Sequence, residues 1–395
     1  MYLPENLTAD EVKAMEELRK RMEKEMTPKL LEDESVYYRF CKARDFKIEE
    51  AESMLRKHIA WRKEWQIDTI LDDYEALEVC KYVPTGFVGF DKEGALLRYI
   101  NMGNADSRGI LNSMKKHDFL KYSFYLGEQD IEALNQRSIK LGKPFTQYIH
   151  IVDFGNMSFS QATHKKTIET LIQYLTMFQD NYPERIKCVY HINASIYYTM
   201  IMSVVKHVVA LPLMQKLKIF GQEGWKEELL KHVDEDVLPA FMGGKRTDPD
   251  GDPQCKTFIT FPQKVPEESY LSNRKKELSK APGARRMVVS RRSKETVSFE
   301  VQEPGSCLEW EFEITDWEKD IGFSVCKTNE SKAVELLPKK RIDTCYGPEK
   351  GHLVCEKKGL YGIVFDNSYS WMYQKEIYYR ARLRGPNDDE HLKWT

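Results

Sequence analysis

Short strand-like runs alternate with helical runs in the middle of this chain, and this alternation restricts the fold more than any other feature. "ALLRYI", "TQYIHIVDF", "RIKCVYHIN" and "LKIF" are rich in the β-branched and aromatic residues that are typical of strands. Between the second and third runs, Ile168, Leu171, Leu175 and Phe178 recur at helical spacing. Strands that alternate with helices form a mostly parallel sheet covered by helices. We therefore predict an α/β domain here.

Different patterns flank this domain. "IEEAESMLRKHIAWRKEW" carries an apolar stripe at helical spacing, which predicts an N-terminal helical cap. "CLEWEFEI" alternates strictly between apolar and acidic residues, and similar short runs follow it, which predicts an antiparallel β-sandwich. The predicted order is a helical region at 1–75, an α/β domain at 76–248, a charged linker at 249–290 and an all-β domain at 291–385.

The most apolar stretch, "IYYTMIMSVVKHVVALPLMQKL" at 196–217, is about as long as a bilayer is thick. Lys206 and His207 lie at its centre, and Pro212 interrupts its second half. A central Lys costs about 3 kcal/mol on insertion, whereas each Leu, Ile or Val contributes about 0.3–0.6 kcal/mol. A stable membrane span is therefore not expected. Two readings remain: a buried core helix, or a helix that covers something apolar and sometimes leaves it.

Composition and motifs exclude several classes of function. The chain has 60 basic and 62 acidic residues, so no global field favours nucleic acid. The eight cysteines form no CxxC pair, so neither a metal site nor a disulfide framework is expected. No secretory signal opens the sequence, and we expect a cytoplasmic protein.

No catalytic motif is present either. The chain contains no GxSxG, GxxxxGK[ST], GxGxxG or HExxH sequence. Asp153 lies at the carboxyl end of a predicted strand, where α/β enzymes often hold catalytic groups, but we interpret it as a helix or turn cap. We predict that the protein is not an enzyme and has no catalytic residues.

Several longer motifs follow one another along the chain. The helical region contains "YYRFCKARDFKIEEAESMLRKHIAWRK", and the α/β region contains "YIHIVDFGNMSF", "DNYPERI", "GWKEELLKHV" and "LPAFMGG". The all-β region, with "YGIVFDNSYSW", resembles a GOLD domain. Taken in order, these motifs resemble the CRAL-TRIO family of lipid-transfer proteins, and the resemblance runs from about residue 34 to about residue 384. It implies a helical cap, a CRAL-TRIO lipid-binding domain and a C-terminal GOLD sandwich.

The resemblance implies non-catalytic binding and transfer, or sensing, of a single hydrophobic lipid such as a phospholipid, a tocopherol or squalene. Residues 196–217 would be a mobile gate over the lipid pocket that contacts a membrane transiently when open. The alternative is a lipid-responsive adaptor that docks on membranes or protein partners through the GOLD domain. Arg285, Arg286, Arg291 and Arg292 are candidates for such docking. We expect a monomer.

The resemblance also implies two sets of site residues. The pocket set consists of Phe87, Arg98, Tyr122, Tyr148, His150, Met200, Val204, Val208 and Leu211. The headgroup set consists of Arg44, Glu184, Arg185 and Lys226. Asp45 stands where phosphatidylinositol-binding members have Lys, and a later Lys position falls on or beside Glu227. Phosphatidylinositol and neutral isoprenoids therefore both remain candidate ligands.

Tyr148 and His150 are two residues apart in a predicted strand, so they point to one face while Ile149 and Ile151 point to the other. Polar aromatic groups in an apolar cavity need a hydrogen-bond partner, which would be each other or a ligand hydroxyl. Plain core packing is the second option. Coordination of a haem iron is the third and least favoured, since both residue types are known axial ligands. We expect no cofactor other than the bound lipid.

Overall fold

The computed structural model describes residues 7–274, 276–329, 332–386 and 388. The chain divides into a first unit, Met1–Glu267, and a second unit, Glu268–Thr395. The predicted linker 249–290 differs from the structure, because its residues belong to both units. Cys255 and Ile259 are buried in the core of the first unit, and Arg285–Val289 is a strand of the second. The few apolar residues of the predicted linker are widely spaced in the sequence, so no hydrophobic periodicity predicted that they are buried.

The first unit begins with helices, as the sequence predicts. They are α1 (Ala9–Met22), α2 (Pro28–Leu31), α3 (Val36–Lys42), α4 (Ile48–Trp65) and α5 (Ile70–Asp73). A capping box starts α1: the Glu11 N–H donates to Thr8 Oγ1 (3.3 Å) and the Thr8 N–H donates to the Glu11 carboxylate (2.9 Å). Gln66, in a left-handed conformation with φ of 55°, ends α4.

A five-stranded sheet forms the centre of the first unit. Its strands are β1 (Thr85–Phe90), β2 (Leu96–Asn101), β3 (Tyr148–Asp153), β4 (Ile186–Ile192) and β5 (Leu217–Ile219). They lie in that order, with β1 antiparallel to β2 and the remaining neighbours parallel. The helices of this region are α6 (Ser107–Ser113), α7 (Lys116–Leu141), α8 (Phe159–Ala162), α9 (Lys165–Asn181), α10 (Ile196–Val205), α11 (Leu211–Gln215) and α12 (Trp225–His232). The prediction of a mostly parallel α/β domain is confirmed.

The edge strand β1 was not predicted, because it contains Gly86 and Gly89 and glycine is depleted in strands. Gly86 is required by a close approach of the backbone. A Cβ at this position would lie 2.5 Å from the carbonyl oxygen of Phe258. The segment around Phe258 thus packs on the edge strand, and no strand pattern in the sequence predicts this contact.

The two faces of the sheet have different surroundings. On one face, Leu97, Ile149 and Ile151 pack in a continuous core with Trp225 and Leu229 of α12. The alternate residues of the same strands point to the opposite face, where α7 and α9 lie. This second face is packed only in part and leaves the cavity described below.

Residues 196–217 do not form one helix, in contrast to the predicted single gate helix. α10 ends at Val205, α11 begins at Leu211, and Leu217 already belongs to β5. Pro212 explains the break, because it lacks the N–H that a continuous helix would donate to the Val208 carbonyl. Among the described residues, no helix combines the length and the apolar character that crossing a membrane requires.

The second unit consists of two four-stranded antiparallel sheets. Its strands are β6 (Arg285–Val289), β7 (Lys294–Val301), β8 (Ser306–Ile314), β9 (Asp320–Asn329), β10 (Lys332–Asp343), β11 (Glu349–Cys355), β12 (Gly359–Asp366) and β13 (Lys375–Arg384). The sheet orders are β10-β9-β12-β7 and β11-β8-β13-β6. Leu308, Trp310, Phe312 and Ile314 are buried in their common core, as the alternation in β8 predicts.

Candidate functional site

An apolar cavity lies in the first unit between the second face of the sheet and helices α7, α9 and α10. It has two adjoining chambers of about 200 and about 140 Å³. Ile100, His150, Tyr174, Phe178 and Ile201 line both of them. The volume of each chamber is many times the volume that one water molecule needs. The cavity therefore has room for an organic molecule.

The helices leave this space because small side chains stand where large ones would fill it. Ser123 and Gly127 of α7 and Thr170 of α9 line the larger chamber. A Cβ added to Gly127 would meet no atom within 4 Å. Because interiors are normally close-packed, such open space beside a helix backbone is informative. The sequence of α7 and α9 thus encodes a hollow interior.

One ion pair supplies the charge on the wall of the cavity. Arg98 of β2 and Asp130 of α7 form a two-fold contact, from Nε to Oδ2 and from Nη2 to Oδ1, each 2.5 Å long. Arg98 Nη1 also donates to Thr85 Oγ1 at 3.3 Å. Both side chains are almost completely buried. Because the two charges compensate each other, the cavity wall carries no excess charge at this point.

Tyr148 and His150 lie side by side on the cavity wall, and Tyr174 lies opposite them on α9. The Tyr148 and His150 rings stack with centroids 5.1 Å apart and planes 20° apart. Burial, with smaller contributions from Arg98 and His191, lowers the pKa of His150 to about 3. Burial also raises the pKa of Tyr174 to about 12 and that of Tyr148 well above its ordinary value. All three groups are therefore uncharged at neutral pH and able to exchange hydrogen bonds with a ligand.

The segment 196–217 closes the smaller chamber. Ile201, Met202, Val205 and Val209 face that chamber from this segment. Lys216 anchors the end of the segment through Glu184, the Ile186 carbonyl and the Val189 N–H, but few polar contacts hold residues 196–215 in place. Tyr198 Oη lies 2.9 Å from His191 Nδ1, Gln179 Nε2 donates to the Val208 carbonyl at 3.2 Å, and the Ala210 N–H donates to Gln179 Oε1 at 3.0 Å.

Three of the predicted pocket residues, Arg98, Tyr148 and His150, line the cavity together. The other six are absent from the described wall: Phe87, Tyr122, Met200, Val204, Val208 and Leu211. Within residues 196–217, the inward face is the one with Ile201 and Val205, whereas Leu211 is 70% exposed. The helix is apolar on nearly every side, so periodicity could not select its inner face. Phe87, on the edge strand, is partly exposed and packs on Phe90 with centroids 5.4 Å apart.

The predicted headgroup residues form no contact network with one another. In the described part of the chain, no hydrogen bond or ion pair joins any two of Arg44, Glu184, Arg185 and Lys226. Arg44 donates to the Ala43 carbonyl, and Glu184 pairs with Lys216 at 3.2 Å. Lys226 is exposed and lies over the Trp225 ring. Each of the four residues thus has a partner outside the set, and their grouping in one headgroup site stays a prediction.

Arg185 belongs instead to a buried polar cluster behind the cavity. Its Nη2 lies 2.6 Å from Asp33 Oδ2, and Arg39 contacts the same carboxylate. Burial alone would raise the pKa of Asp33, but Arg185 and Arg39 hold it well below its usual range. Burial lowers the pKa of the adjacent His58 to about 3, and its Nδ1 lies 3.0 Å from Asn181 Oδ1. The cluster fastens the helical region to the α/β region.

Sequence analysis missed Asp130 and Gln179. A usable signal exists for Asp130, because it stands on the apolar stripe of α7, three residues after Gly127 and four before Leu134. A carboxylate on an inward stripe predicts a buried cationic partner. No comparable signal marks Gln179. It bonds to the Val208 carbonyl and the Ala210 N–H, two backbone groups that are available only because the helix is interrupted before Pro212.

Asp153, the one carboxylate weighed for catalysis, has structural partners. Its carboxylate accepts hydrogen bonds from Tyr99 Oη, Asn193 Nδ2 and the Gly155 N–H, each 2.8 Å long. These contacts fix the turn that follows β3. Among the described residues, no group of three or more His, Cys, Asp or Glu side chains is arranged to hold a metal ion.

Known proteins resemble this chain in sequence and in fold. Residues 81–244 match the CRAL/TRIO domain family. The protein ctg-1 of Caenorhabditis elegans is 28% identical over 353 residues, which is 87% of this chain and 90% of ctg-1. The protein real-time of Aedes aegypti is 26% identical over 325 residues, which is 80% of this chain but 48% of real-time. The crystal structure of Sfh5, 16% identical, superposes with a TM-score of 0.51 over 66% of this chain and 95% of Sfh5.

Proposed function

We propose that the CRAL/TRIO domain formed by residues 81–244 carries one hydrophobic lipid in its cavity and transfers it between membranes. A CRAL/TRIO domain implies lipid binding or transfer in general. The observation that carries the specific proposal is the pair of adjoining apolar chambers closed on one side by residues 196–217. A lipid in water exposes apolar surface at about 0.8 kcal/mol per CH₂. Such a compartment removes that cost without any bond being made or broken, so we propose no enzymatic step and no cofactor.

The chemistry of the wall favours an uncharged ligand. Arg98 is neutralised by Asp130, and Tyr148, His150 and Tyr174 are neutral. Burying a phosphate against this wall would leave its charge uncompensated, which is costly. A neutral lipid with at most a hydroxyl group, such as a tocopherol, or a hydrocarbon such as squalene fits the wall. A phospholipid fits it by its acyl chains only.

Residues 196–217 are the proposed gate. The inner face of the segment covers the smaller chamber, whereas Ile196, Val204 and Leu211 stand exposed on its outside. An apolar segment held by a few hydrogen bonds exchanges its cavity contacts for lipid contacts at low cost. Lys206 and His207 are exposed and prevent lasting insertion. We propose a cytoplasmic monomer that associates transiently with membranes through this gate.

A transfer assay between vesicles tests the proposal. Donor vesicles contain radiolabelled tocopherol, squalene or phosphatidylcholine, and label in the acceptor vesicles is measured with and without the full chain. We expect faster transfer in proportion to protein concentration, with the lipid chemically unchanged. Transfer of all three lipids at the rate of vesicles alone would contradict the proposal.

A further inference from the structure

The second unit presents a cluster of exposed apolar side chains at one end of its sandwich. Trp371, Met372 and Tyr373, in the connection between β12 and β13, are 71%, 72% and 57% exposed. Three consecutive large apolar residues in water are unfavourable, and such patches mark interaction sites. Neither the cavity nor the gate, both in the first unit, explains them.

The base of this connection is firmly held, so the exposure is a property of an ordered structure. Asn367 is completely buried, and its Nδ2 donates to the carbonyls of Val289 (3.2 Å), Ser290 (3.1 Å) and Tyr373 (3.0 Å). Ser370 Oγ donates to the Tyr373 carbonyl at 2.9 Å. A tip held in this way pays little conformational entropy when it binds.

Cations surround the apolar tip. The Arg292 guanidinium lies 3.7 Å from the centroid of the Trp371 ring, and Lys319 Nζ lies 5.2 Å from that of Tyr373. Arg341 lies over the ring of Tyr369, 4.2 Å from its centroid, whereas Lys375 is buried and donates to Tyr369 Oη at 2.7 Å. The carboxylates in ion pairs with these cations are Asp316 and Asp320. Among the described residues, neither Arg292 nor the adjacent Arg291 has an ion-pair partner, so positive charge is in excess around the tip.

We propose that residues 367–374 dock the protein on anionic lipid bilayers, with Trp371 and Met372 entering the headgroup region. Trp and Tyr prefer the membrane interface because their rings are apolar and carry one polar group. Arg291 and Arg292 attract anionic headgroups at the same depth. A basic ring around an aromatic tip matches a negatively charged interface in both charge and polarity.

Vesicle sedimentation of the full chain tests this docking. The vesicles contain phosphatidylcholine alone or with phosphatidylserine, and the variant is Trp371→Ser with Met372→Ser. We expect the variant to bind the phosphatidylserine vesicles about tenfold more weakly than the wild type. Leu360→Ser, which removes an exposed apolar residue elsewhere on the second unit, is the control and should bind like the wild type. Arg292→Glu should weaken binding, and salt should weaken binding of the wild type.

Three results would overturn the proposal. The double variant could bind vesicles as well as the wild type does, or the wild type could bind both kinds of vesicle equally. The third is a double variant that loses an interaction with another protein but still binds vesicles like the wild type. Brominated lipids add a direct readout, because they quench tryptophan only at contact. The quenched fraction should fall in Trp371→Phe. The lipid content of the cavity should stay unchanged in every variant, which separates this proposal from lipid carriage.

Discussion

Arg98 and Asp130 carry the charges on the described wall of the cavity. Because the two side chains are buried and joined by two hydrogen bonds, each one compensates the buried charge of the other. Tyr148 and His150 add neutral hydrogen-bonding groups two residues apart on one strand. At this scale the site combines an internally balanced ion pair with a small neutral polar patch, and the rest of the wall is mostly apolar with a few uncharged hydroxyl and amide side chains.

For the Arg98–Asp130 pair we predict that the effects of the two single substitutions on the free energy of unfolding are far from additive. Arg98→Met or Asp130→Leu alone leaves an unpaired buried charge and should lower the free energy of unfolding by about 3–5 kcal/mol. The double variant should recover most of this loss. Urea unfolding of the three variants and the wild type forms a double-mutant cycle. Losses that simply add up would show that the two groups do not depend on each other.

Tyr148 and His150 predict a difference between ligands. Tyr148→Phe and His150→Leu each remove one hydrogen-bonding group, which contributes about 1 kcal/mol, or about fivefold in affinity. We expect this loss for a hydroxylated lipid such as tocopherol and almost none for squalene, measured by titration with both. Equal losses for the two ligands would mean that the side chains only shape the cavity.

The buried histidines predict acid sensitivity of the first unit. Burial lowers the pKa of His58 and His150 to about 3 and that of His191 to about 4, against about 6.5 when unfolded. Below pH 6.5 the unfolded state therefore binds more protons than the folded state, and stability falls as pH falls. At pH 5.5 each histidine costs on the order of 1 kcal/mol.

Hydrogen exchange of the full chain, corrected for the intrinsic pH dependence, measures this effect. The opening free energy of peptides from the first unit should decrease between pH 7 and pH 5.5, and His58→Gln should flatten the decrease. An equal decrease in peptides from the second unit, or none in the first, would contradict the assignment.

At the scale of elements, most strands and helices were predictable and two features were not. The four predicted strands of the α/β region correspond to β2–β5, because each is a short β-branched and aromatic run. The edge strand β1 was missed because a tertiary contact, and not strand propensity, selects Gly86. The gate was expected as one helix, since its hydrophobicity hides both the break before Pro212 and the direction of its inner face.

The gate itself predicts an effect of its hydrogen bonds to α9. Gln179→Ala removes both bonds that hold the backbone of Val208 and Ala210. We expect faster release of bound lipid, by about fivefold to tenfold, with little loss of global stability. Stopped-flow transfer of a fluorescent lipid measures the rate. Gln173→Ala, on the same helix but without a described hydrogen bond, is the control, and equal rates for the two variants would reject the latch.

At the scale of the whole molecule, the order of helical, α/β and all-β regions was readable from the change of hydrophobic period along the chain. The cavity was not. Its space arises because Gly127, Ser123 and Thr170 come together from two helices, and periodicity does not report on absent volume. Likewise, the ion pair joins residues 98 and 130 across a strand and a helix. Spatial proximity of this kind follows from packing and not from local pattern.

Native mass spectrometry of the full chain, purified from cells and then incubated with tocopherol, squalene or phosphatidylcholine, tests lipid carriage most directly. The matched variants are Gly127→Phe, which fills open space in the larger chamber, and Gly221→Leu, which adds an apolar side chain where a Cβ also meets no atom within 4 Å but away from the described cavity wall. We predict one bound lipid in the wild type and in Gly221→Leu, and none in a folded Gly127→Phe. A bare polypeptide mass for the wild type under every condition, or full lipid occupancy in Gly127→Phe, would contradict the central claim.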